Sequence, residues 1–201
     1  MKYLKLNRVT KDIGLFGKKG VGKTTILVLL AYLENKYYGT KIYTNIKGLK
    51  IPNVYIDNID DLDKVKNDEK KIFIGDDFER WFFSRNAGSK KNLQLLQLLL
   101  DWGKYSCSLY YSAKREMSID IGLRESTIEF WEVELRQRIF SNSGSKEIDK
   151  LNNVILRKYA DFLYIKINRF DENLNDLPCY RIFNLKHIFS HFDTKTIVKQ
   201  L

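Results

Sequence analysis

The stretch Gly17-Lys18-Lys19-Gly20-Val21-Gly22-Lys23-Thr24 decides the fold of this chain. It matches the phosphate-loop pattern G-x-x-x-x-G-K-[ST], also called Walker A, at every fixed position. Glycines let the backbone curl so that its N–H groups point at a polyphosphate. The lysine places a positive charge at the phosphates, and the threonine hydroxyl binds Mg²⁺. We therefore predict a site for ATP and Mg²⁺. The expected nucleotide contacts are Gly17, Lys18, Lys19, Gly20, Val21, Gly22, Lys23, Thr24 and Thr25.

Apolar segments flank this loop on both sides. Residues 12–16 form a short, mostly apolar run that predicts a buried strand, and residues 25–33 form a run long enough for a buried helix. A helix that begins at the end of the loop places its N-terminus beneath the phosphates, where the helix dipole stabilises negative charge. The alternative interpretation is a glycine-rich turn that caps a structural helix.

An acidic pair follows a second hydrophobic strand. Residues 70–75 predict this strand, and Asp76 and Asp77 come directly after it, which is the Walker B arrangement. Residues at the carboxyl end of a parallel strand face the ligand crevice, so Asp76 is expected to reach Mg²⁺, together with Thr24. Asp77 lies where many ATPases place a glutamate that polarises the attacking water, and Glu79 is a second candidate for this role. The alternative is an ordinary strand with an acidic turn.

A further strand is predicted over residues 107–112, with Lys114 and Arg115 shortly after its end. A polar residue at the end of the strand that follows Walker B can contact the γ-phosphate during catalysis. Lys114 and Arg115 are both candidates for this sensor, and the alternative is a solvated basic turn.

The remaining pattern predicts an α/β fold with a central, mainly parallel sheet flanked by helices. A helix over residues 90–105 carries a leucine stripe that is expected to pack on the sheet. We expect one domain over residues 1–201, in which a β-rich C-terminal extension occupies about 136–201. Further strands are predicted over residues 41–46, 127–135, 162–167 and 178–183, and the adjacent Phe130 and Trp131 suggest a bulge.

Composition narrows the class of protein. The chain has 201 residues, a hydrophobic content of 44% and a net charge of +10. This charge is spread along the chain and suits a polyanion partner such as DNA or RNA, although solubility alone also explains it. Two distant cysteines predict no disulfide, so a reducing interior such as the cytoplasm is expected. We expect no transmembrane segment, because the longest unbroken apolar run covers only residues 26–33.

Two histidines, His187 and His191, stand four positions apart on a predicted helix. A metal pair is one interpretation of this spacing, but no third ligand accompanies it. A packing or surface role is the favoured interpretation.

Short segments between and beyond the Walker motifs resemble the Zot-like branch of the FtsK/HerA superfamily, which includes ATPases that package or extrude viral and phage DNA. The resemblance spans nearly the whole chain and implies an additional-strand P-loop fold. It also implies a homo-oligomeric ring, often a hexamer, that couples ATP hydrolysis to DNA movement. The segments that carry it are residues 43–49, 84–86, 110–115, 119–124 and 191–195.

The same resemblance implies an arginine that reaches the nucleotide across a subunit boundary. Arg85, Arg115 and Arg124 are the candidates, and the phosphate loop would then form one side of a subunit interface. The chain departs from the family at two places. Lys114 stands where the family usually has glutamine, and Asp77 where it often has glutamate.

The function implied is a Mg²⁺-dependent ATPase motor that translocates double-stranded DNA as a viral genome-packaging NTPase. Capsid or portal components are the implied partners, and the host cytoplasm or the virion is the implied location. The alternative is a nucleotide-switched partition or phage-assembly ATPase. Lys18 lies where ParA/MinD-type ATPases carry their signature lysine, although Lys19 replaces the first of the two glycines that normally follow it.

Overall fold

A computed structural model of the chain describes residues 12–58, 61, 65, 71–81, 93, 97, 107–137, 163–183, 185, 188, 190 and 191. Two α-helices and eight strands have both ends within these residues, besides short 3-10 turns and isolated helical positions. In chain order they are β1 (Ile13–Phe16), α1 (Lys23–Tyr38), β2 (Lys41–Thr44), β3 (Val54–Tyr55), β4 (Lys71–Gly75), β5 (Cys107–Ala113), α2 (Ile121–Ser126), β6 (Glu129–Gln137), β7 (Leu163–Asp171) and β8 (Asp176–Ile182).

The strands of this part of the chain form one sheet in the order β3-β2-β4-β5-β1-β6-β7-β8. Pairing is parallel from β3 through β6, and the last two pairs, β6 with β7 and β7 with β8, are antiparallel. Strand β5 lies between β1, which leads into the phosphate loop, and β4, which leads into Asp76. The carboxyl ends of these three parallel strands therefore meet at the same edge of the sheet.

Apolar side chains cover both faces of the sheet because successive residues of a strand point to opposite sides. On one face, the buried residues of α1 pack with Ile13, Leu15 and Ile72 in a single cluster. On the other face, Phe16 and Phe73 belong to a second cluster, which also contains side chains from the segment after β4 and from α2. A parallel sheet buried on both faces explains the near-continuous apolar runs in β1 and β4.

Helix α1 extends beyond the apolar run from which it was predicted. It ends at Tyr38 because Gly39 adopts a left-handed conformation (φ 62°) and its N–H donates to the carbonyl of Asn35. Such a cap satisfies the last carbonyl groups of a helix and favours glycine. None of the helices within the described residues is both long and apolar enough to cross a bilayer.

The predicted strands are confirmed, with ends that differ by a few residues. The bulge predicted at Phe130 and Trp131 is wrong, because β6 pairs with β7 without interruption from Glu129 to Gln137. The irregularity lies instead between β7 and β8. Most of the predicted helix over 90–105 lies outside the described residues; Leu93, which is helical, is exposed rather than packed on the sheet.

A buried ion pair ties the C-terminal strands to the rest of the sheet. Glu129 on β6 accepts hydrogen bonds from the guanidinium of Arg169 on β7 (2.7 Å) and from the indole Nε1 of Trp131 (2.9 Å). The same guanidinium lies 4.4 Å from the ring centroid of Tyr180 on β8. Because breaking one partner would leave an uncompensated buried charge, this contact holds β6, β7 and β8 in one arrangement.

Asp12 lies at the opposite edge of the sheet, immediately before β1. Its carboxylate accepts a hydrogen bond from the backbone N–H of Leu109 (3.0 Å). Burial raises the pKa of Asp12 from 3.8 to about 6, and the hydrogen bond from Leu109 only partly opposes this. The folded state therefore holds a proton on Asp12 at pH values where the unfolded chain has already lost it.

We expect the substitution Asp12→Asn to stabilise the protein near pH 8 and to leave it unchanged near pH 3.5. A carboxyl group with a raised folded-state pKa contributes stability below its unfolded pKa, and this contribution is lost as the pH rises through about 6. The gain at pH 8 is up to about 3 kcal/mol. Urea unfolding at both pH values measures it, with the exposed Asp176→Asn as control. Equal effects at the two pH values would contradict the assignment.

Candidate nucleotide-binding site

The phosphate loop has a backbone that requires glycine. Gly17, Gly20 and Gly22 have φ angles of 149°, 84° and 100°. Side chains rarely tolerate this region because Cβ collides with the backbone. Gly22 is also the residue before α1, and no side chain there accepts a hydrogen bond from the first turn. The N–H groups at this helix start are therefore arranged as in an anion site.

Two of these glycines have a second reason to lack a side chain. A Cβ atom on Gly17 would lie 2.6 Å from the carbonyl oxygen of Val133, and one on Gly22 would lie 2.5 Å from Cδ1 of Ile165. Val133 is on β6 and Ile165 on β7, in the stretch where these strands continue past the end of β1. The β6–β7 ribbon therefore packs against the outer side of the phosphate loop.

Lys23 is buried at the start of α1, with 7% of its surface exposed. Its ammonium group donates hydrogen bonds to the carbonyl oxygens of Gly17 (2.7 Å) and Lys18 (3.1 Å). Burial lowers the pKa of Lys23, and the charges of Asp76, Asp77 and Glu79 oppose this shift. The lysine charge thus lies inside the loop, next to the acidic residues that follow β4.

Asp76 connects the end of β4 to α1 and to β5 through its carboxylate. Oδ2 accepts a hydrogen bond from the hydroxyl of Thr24 (2.7 Å), and Oδ1 accepts one from the hydroxyl of Ser112 (2.5 Å). Burial raises the pKa of Asp76, which the hydrogen bonds from Ser112 and Thr24 and the charge of Lys23 oppose. Thr24 and Asp76, both predicted as metal residues, are therefore brought together.

The Thr24 hydroxyl and the Asp76 carboxylate fit Mg²⁺ in their chemistry. Both are oxygen donors, which Mg²⁺ prefers, and Mg²⁺ usually takes only one or two protein ligands and completes its shell with water and phosphate oxygens. Within the described residues, no group of three or more His, Cys, Asp or Glu side chains forms a metal cluster. Two adjacent oxygen donors next to a phosphate loop suit a nucleotide-bound Mg²⁺ rather than a site built of protein ligands alone.

Two residues that the sequence analysis missed fix the acidic pair in place. The side-chain amide of Asn45, at the end of β2, accepts from the N–H of Asp76 (2.7 Å) and donates to its carbonyl oxygen (2.9 Å). The hydroxyl of Ser112 also accepts from the N–H of Asp77 (3.0 Å). Asn45 thus extends the β2–β4 pairing by one residue, and Ser112 contacts both acids at once.

Asp77 has an unusual backbone conformation. Its φ and ψ angles are 47° and 45°, in the left-handed region where residues other than glycine are uncommon. Its carboxylate is partly exposed and lies 3.3 Å from the guanidinium of Arg80. Strained residues of this kind concentrate at functional sites. Asp77 thus lies directly after Asp76 and pairs with Arg80, an arginine that the sequence analysis did not consider.

Glu79 has different surroundings. It is buried (8% exposed) and accepts hydrogen bonds from the backbone N–H of Lys114 (2.6 Å) and the hydroxyl of Ser118 (3.1 Å). The ammonium of Lys114 lies 3.6 Å from its other carboxylate oxygen. Lys114, one of the two predicted sensor candidates, is thus attached to the acidic segment after β4.

The other predicted residues are distributed around this centre. Thr25 is buried inside α1, whereas Lys18 and Lys19 are exposed on the loop. Arg115 is exposed, and Arg124 donates to the sulfur of Met117 (3.2 Å). Within the part of the chain that is described, the structure gives neither arginine a hydrogen bond or ion pair with the acidic residues of the site.

Arg85 and His187 lie outside the described residues. The ring of His191 stacks on Tyr32, with ring centroids 4.4 Å apart. Its backbone carbonyl accepts a hydrogen bond from the N–H of Lys50 (2.8 Å). This environment fits the packing role that was favoured for His191.

We expect Ser112→Ala to destabilise the protein by about 1–3 kcal/mol, because it removes the donor to Oδ1 of Asp76 and leaves the Asp77 N–H without its side-chain acceptor. Ser112→Thr keeps the hydroxyl and should recover most of the loss. Urea unfolding at pH 7 measures the effect, with Ser126→Ala as the control for a hydroxyl that contacts only its own helix. A loss no larger than that of the control would show that Ser112 does not hold the acids.

Comparisons with known proteins support the fold. No protein-family model and no curated protein matches the chain. Among solved structures, it is similar to the N-terminal domain of zonular occludens toxin from Neisseria meningitidis, with a TM-score of 0.59 and 19% identity over 92% of this chain and 100% of that one. It is also similar to the genome packaging NTPase B204 from Sulfolobus turreted icosahedral virus 2 in complex with ATP-γ-S, with a TM-score of 0.54 and 12% identity over 90% and 100% of the two chains.

A structure of B204 described as the DNA-packaging ATPase from Sulfolobus turreted icosahedral virus gives a TM-score of 0.52 at 12% identity, over 88% of this chain and 98% of that one. The resemblance predicted from the sequence is thus confirmed at the level of the fold. The chain has the α/β fold of P-loop NTPases, with a mainly parallel central sheet, and its structural neighbours are the Zot N-terminal domain and a viral packaging NTPase.

Proposed function

We propose that this protein binds ATP with Mg²⁺ at the phosphate loop and hydrolyses it to move double-stranded DNA, as a viral genome-packaging NTPase. The observation that carries the proposal is the hydrogen-bonded set of Thr24, Asp76 and Ser112 beside the buried Lys23. It joins a phosphate-binding loop to an oxygen-donor metal pair, which is the combination that phosphoanhydride hydrolysis needs. The fold shared with B204 and the positive net charge agree with a nucleic-acid partner.

The position of β5 between β1 and β4 supports assignment to the additional-strand type of P-loop fold. We treat residues 1–201 as one domain, in which about 136–201 form the β-rich extension. The contact of the β6–β7 ribbon with Gly17 and Gly22 favours this over two separate units.

Different residues of the site bind the phosphates, hold the metal ion and orient the attacking water. The loop N–H groups and Lys23 bind the phosphates, and Lys114 contacts the terminal one. When bound, Mg²⁺ supplies positive charge that offsets the phosphate oxygens, and Thr24 and Asp76 hold it with its water shell. Asp77 orients the water, whose oxygen forms the new bond to the γ-phosphorus as the bond to the bridging oxygen of ADP breaks.

We propose that identical subunits assemble into a ring, a hexamer, and that a neighbouring subunit completes this site. An arginine from the neighbouring subunit offsets charge in the transition state, and Arg85, Arg115 and Arg124 stay the candidates. The exposure of Arg115 is compatible with such a contact. Capsid or portal components are the proposed partners besides DNA, and the host cytoplasm or the virion the proposed location.

A second candidate is a nucleotide-switched assembly or partition ATPase. It is favoured by the Asp77 carboxylate, which is one methylene shorter than a glutamate and pairs with Arg80. An acid restrained in this way suits slow hydrolysis and long-lived nucleotide states. The exposed Lys18 at the ParA/MinD lysine position agrees with the same candidate.

We expect Lys23→Ala to reduce ATP hydrolysis on the order of 100-fold or more, because it removes the buried ammonium that lies inside the phosphate loop. Release of inorganic phosphate at saturating ATP and Mg²⁺ is the measurement. Lys36→Ala, which removes a lysine from the far end of the same helix, should behave like the wild type. Undiminished hydrolysis in Lys23→Ala would contradict the proposed site.

Duplex DNA and particle size separate the two candidates. A motor should hydrolyse ATP several-fold faster with double-stranded DNA, and light scattering should report a ring in the presence of ATP-γ-S. A switch should show slow hydrolysis indifferent to DNA. A persistent monomer whose hydrolysis ignores DNA would overturn the motor proposal while leaving nucleotide binding intact.

A further inference from the structure

Glu79 is a buried acid whose charge is compensated from a single neighbouring segment. It lies in the 3-10 turn Phe78–Arg80 after β4, and its donors are the backbone N–H and ammonium of Lys114 and the hydroxyl of Ser118. Burying a carboxylate is costly unless such partners satisfy it. All three donors belong to residues 114–118, directly after β5. Glu79 therefore links the segment after β4 to the segment after β5.

Lys114 is the member of this set that lies next to the phosphate loop. Phe16 at the end of β1 pairs with Ala113 at the end of β5, so the next residues, Gly17 and Lys114, leave the sheet side by side. The charge of Lys114 also acts on Lys23 and contributes to lowering its pKa. The Lys114 side chain is 62% exposed, so its ammonium lies at the protein surface rather than in the core.

Glu79 is poorly placed to act on water. Its Oε2 accepts two hydrogen bonds, and its Oε1 faces the ammonium of Lys114. A residue that orients an attacking nucleophile must have an acceptor directed at it. The carboxylate of Asp77, by contrast, is partly exposed at the edge of the site.

We propose that Glu79 is a positioning residue that sets where the ammonium of Lys114 meets the terminal phosphate of the nucleotide, while Asp77 alone orients the attacking water. The inference rests on the proposed nucleotide site and names the residue that fixes its γ-phosphate contact. The bond from the Lys114 N–H to Glu79 holds the backbone at the end of β5 and thereby sets the point from which the Lys114 side chain extends. Glu79 thereby couples the acidic segment after β4 to recognition of the γ-phosphate.

Two substitutions at Glu79 separate its hydrogen bonds from its ion pair with Lys114. Glutamine at position 79 keeps an oxygen that accepts from the Lys114 N–H and from Ser118, whereas alanine keeps none. The ion pair itself involves a mostly exposed lysine and adds little to stability. Glu79→Gln should therefore retain the positioned segment, and Glu79→Ala should release it.

The experiment measures two quantities in each variant: the ratio of the dissociation constants for ADP and ATP-γ-S, and kcat for ATP. We expect Lys114→Ala to reduce the preference for ATP-γ-S about tenfold, the order of one lost charge-assisted hydrogen bond. Glu79→Ala should reduce it by the same factor, and the double variant should lose no more, because both changes remove one interaction. Glu79→Gln should retain the preference and kcat within about threefold.

The control is Glu116→Gln, which alters another glutamate of the same segment and should match the wild type. We expect the affinity for ADP to be the same in every variant, which would show that the nucleotide site is folded. Loss of kcat on the order of 100-fold in Glu79→Gln with the ATP-γ-S preference intact would overturn the proposal, because it would place Glu79 on the water. Losses that multiply in the double variant would overturn it as well.

The test also distinguishes this inference from the proposed function. If the wild type binds neither nucleotide, the proposed nucleotide site is wrong, and the positioning role of Glu79 is wrong with it. If Lys114→Ala loses the preference for ATP-γ-S but Glu79→Ala keeps it, only the role of Glu79 is wrong. The binding ratio stays decisive even in a protein that hydrolyses ATP too slowly to measure.

Discussion

The carboxylate of Asp76 is the group on which the arrangement of the site depends. It joins Thr24 at the start of α1 to Ser112 on β5, and its backbone is held by Asn45 at the end of β2. These contacts reach the site from three different strand ends and from the helix after β1. Because a partly buried carboxylate must keep its donors, none of the segments can move independently without leaving a polar group unsatisfied.

Local patterns in the sequence predicted the residues whose role follows from spacing alone. Lys23, Thr24 and Asp76 were assigned from two short motifs, and the structure brings all three together. Asn45 and Ser112 could not be assigned in this way. Their roles arise only because β4 pairs with β2 on one side and with β5 on the other. No local sequence pattern predicts the order of the strands in a sheet. The one available signal was a polar residue near the end of a predicted strand.

The strands of the sheet were largely predictable, because buried parallel strands appear as short apolar runs. The bulge predicted at Phe130 and Trp131 is wrong, because two adjacent aromatic residues fit a regular strand when its two faces meet different cores. Trp131 packs in the cluster around α1, and Phe130 packs in the cluster on the opposite face. Both faces of β6 are apolar there, so the simple alternation expected of a half-exposed strand does not hold.

Burial opposes the charged forms of both Lys23 and Asp76, although the two charges attract each other. Lys23 is buried with a lowered pKa, and Asp76 is desolvated with a raised one, so each is driven toward its neutral form. A polyphosphate next to Lys23 and a divalent cation next to Asp76 would both favour the charged forms again. The metal-bound nucleotide of the proposed function would therefore act on both pKa values in the same direction as the attraction between Lys23 and Asp76.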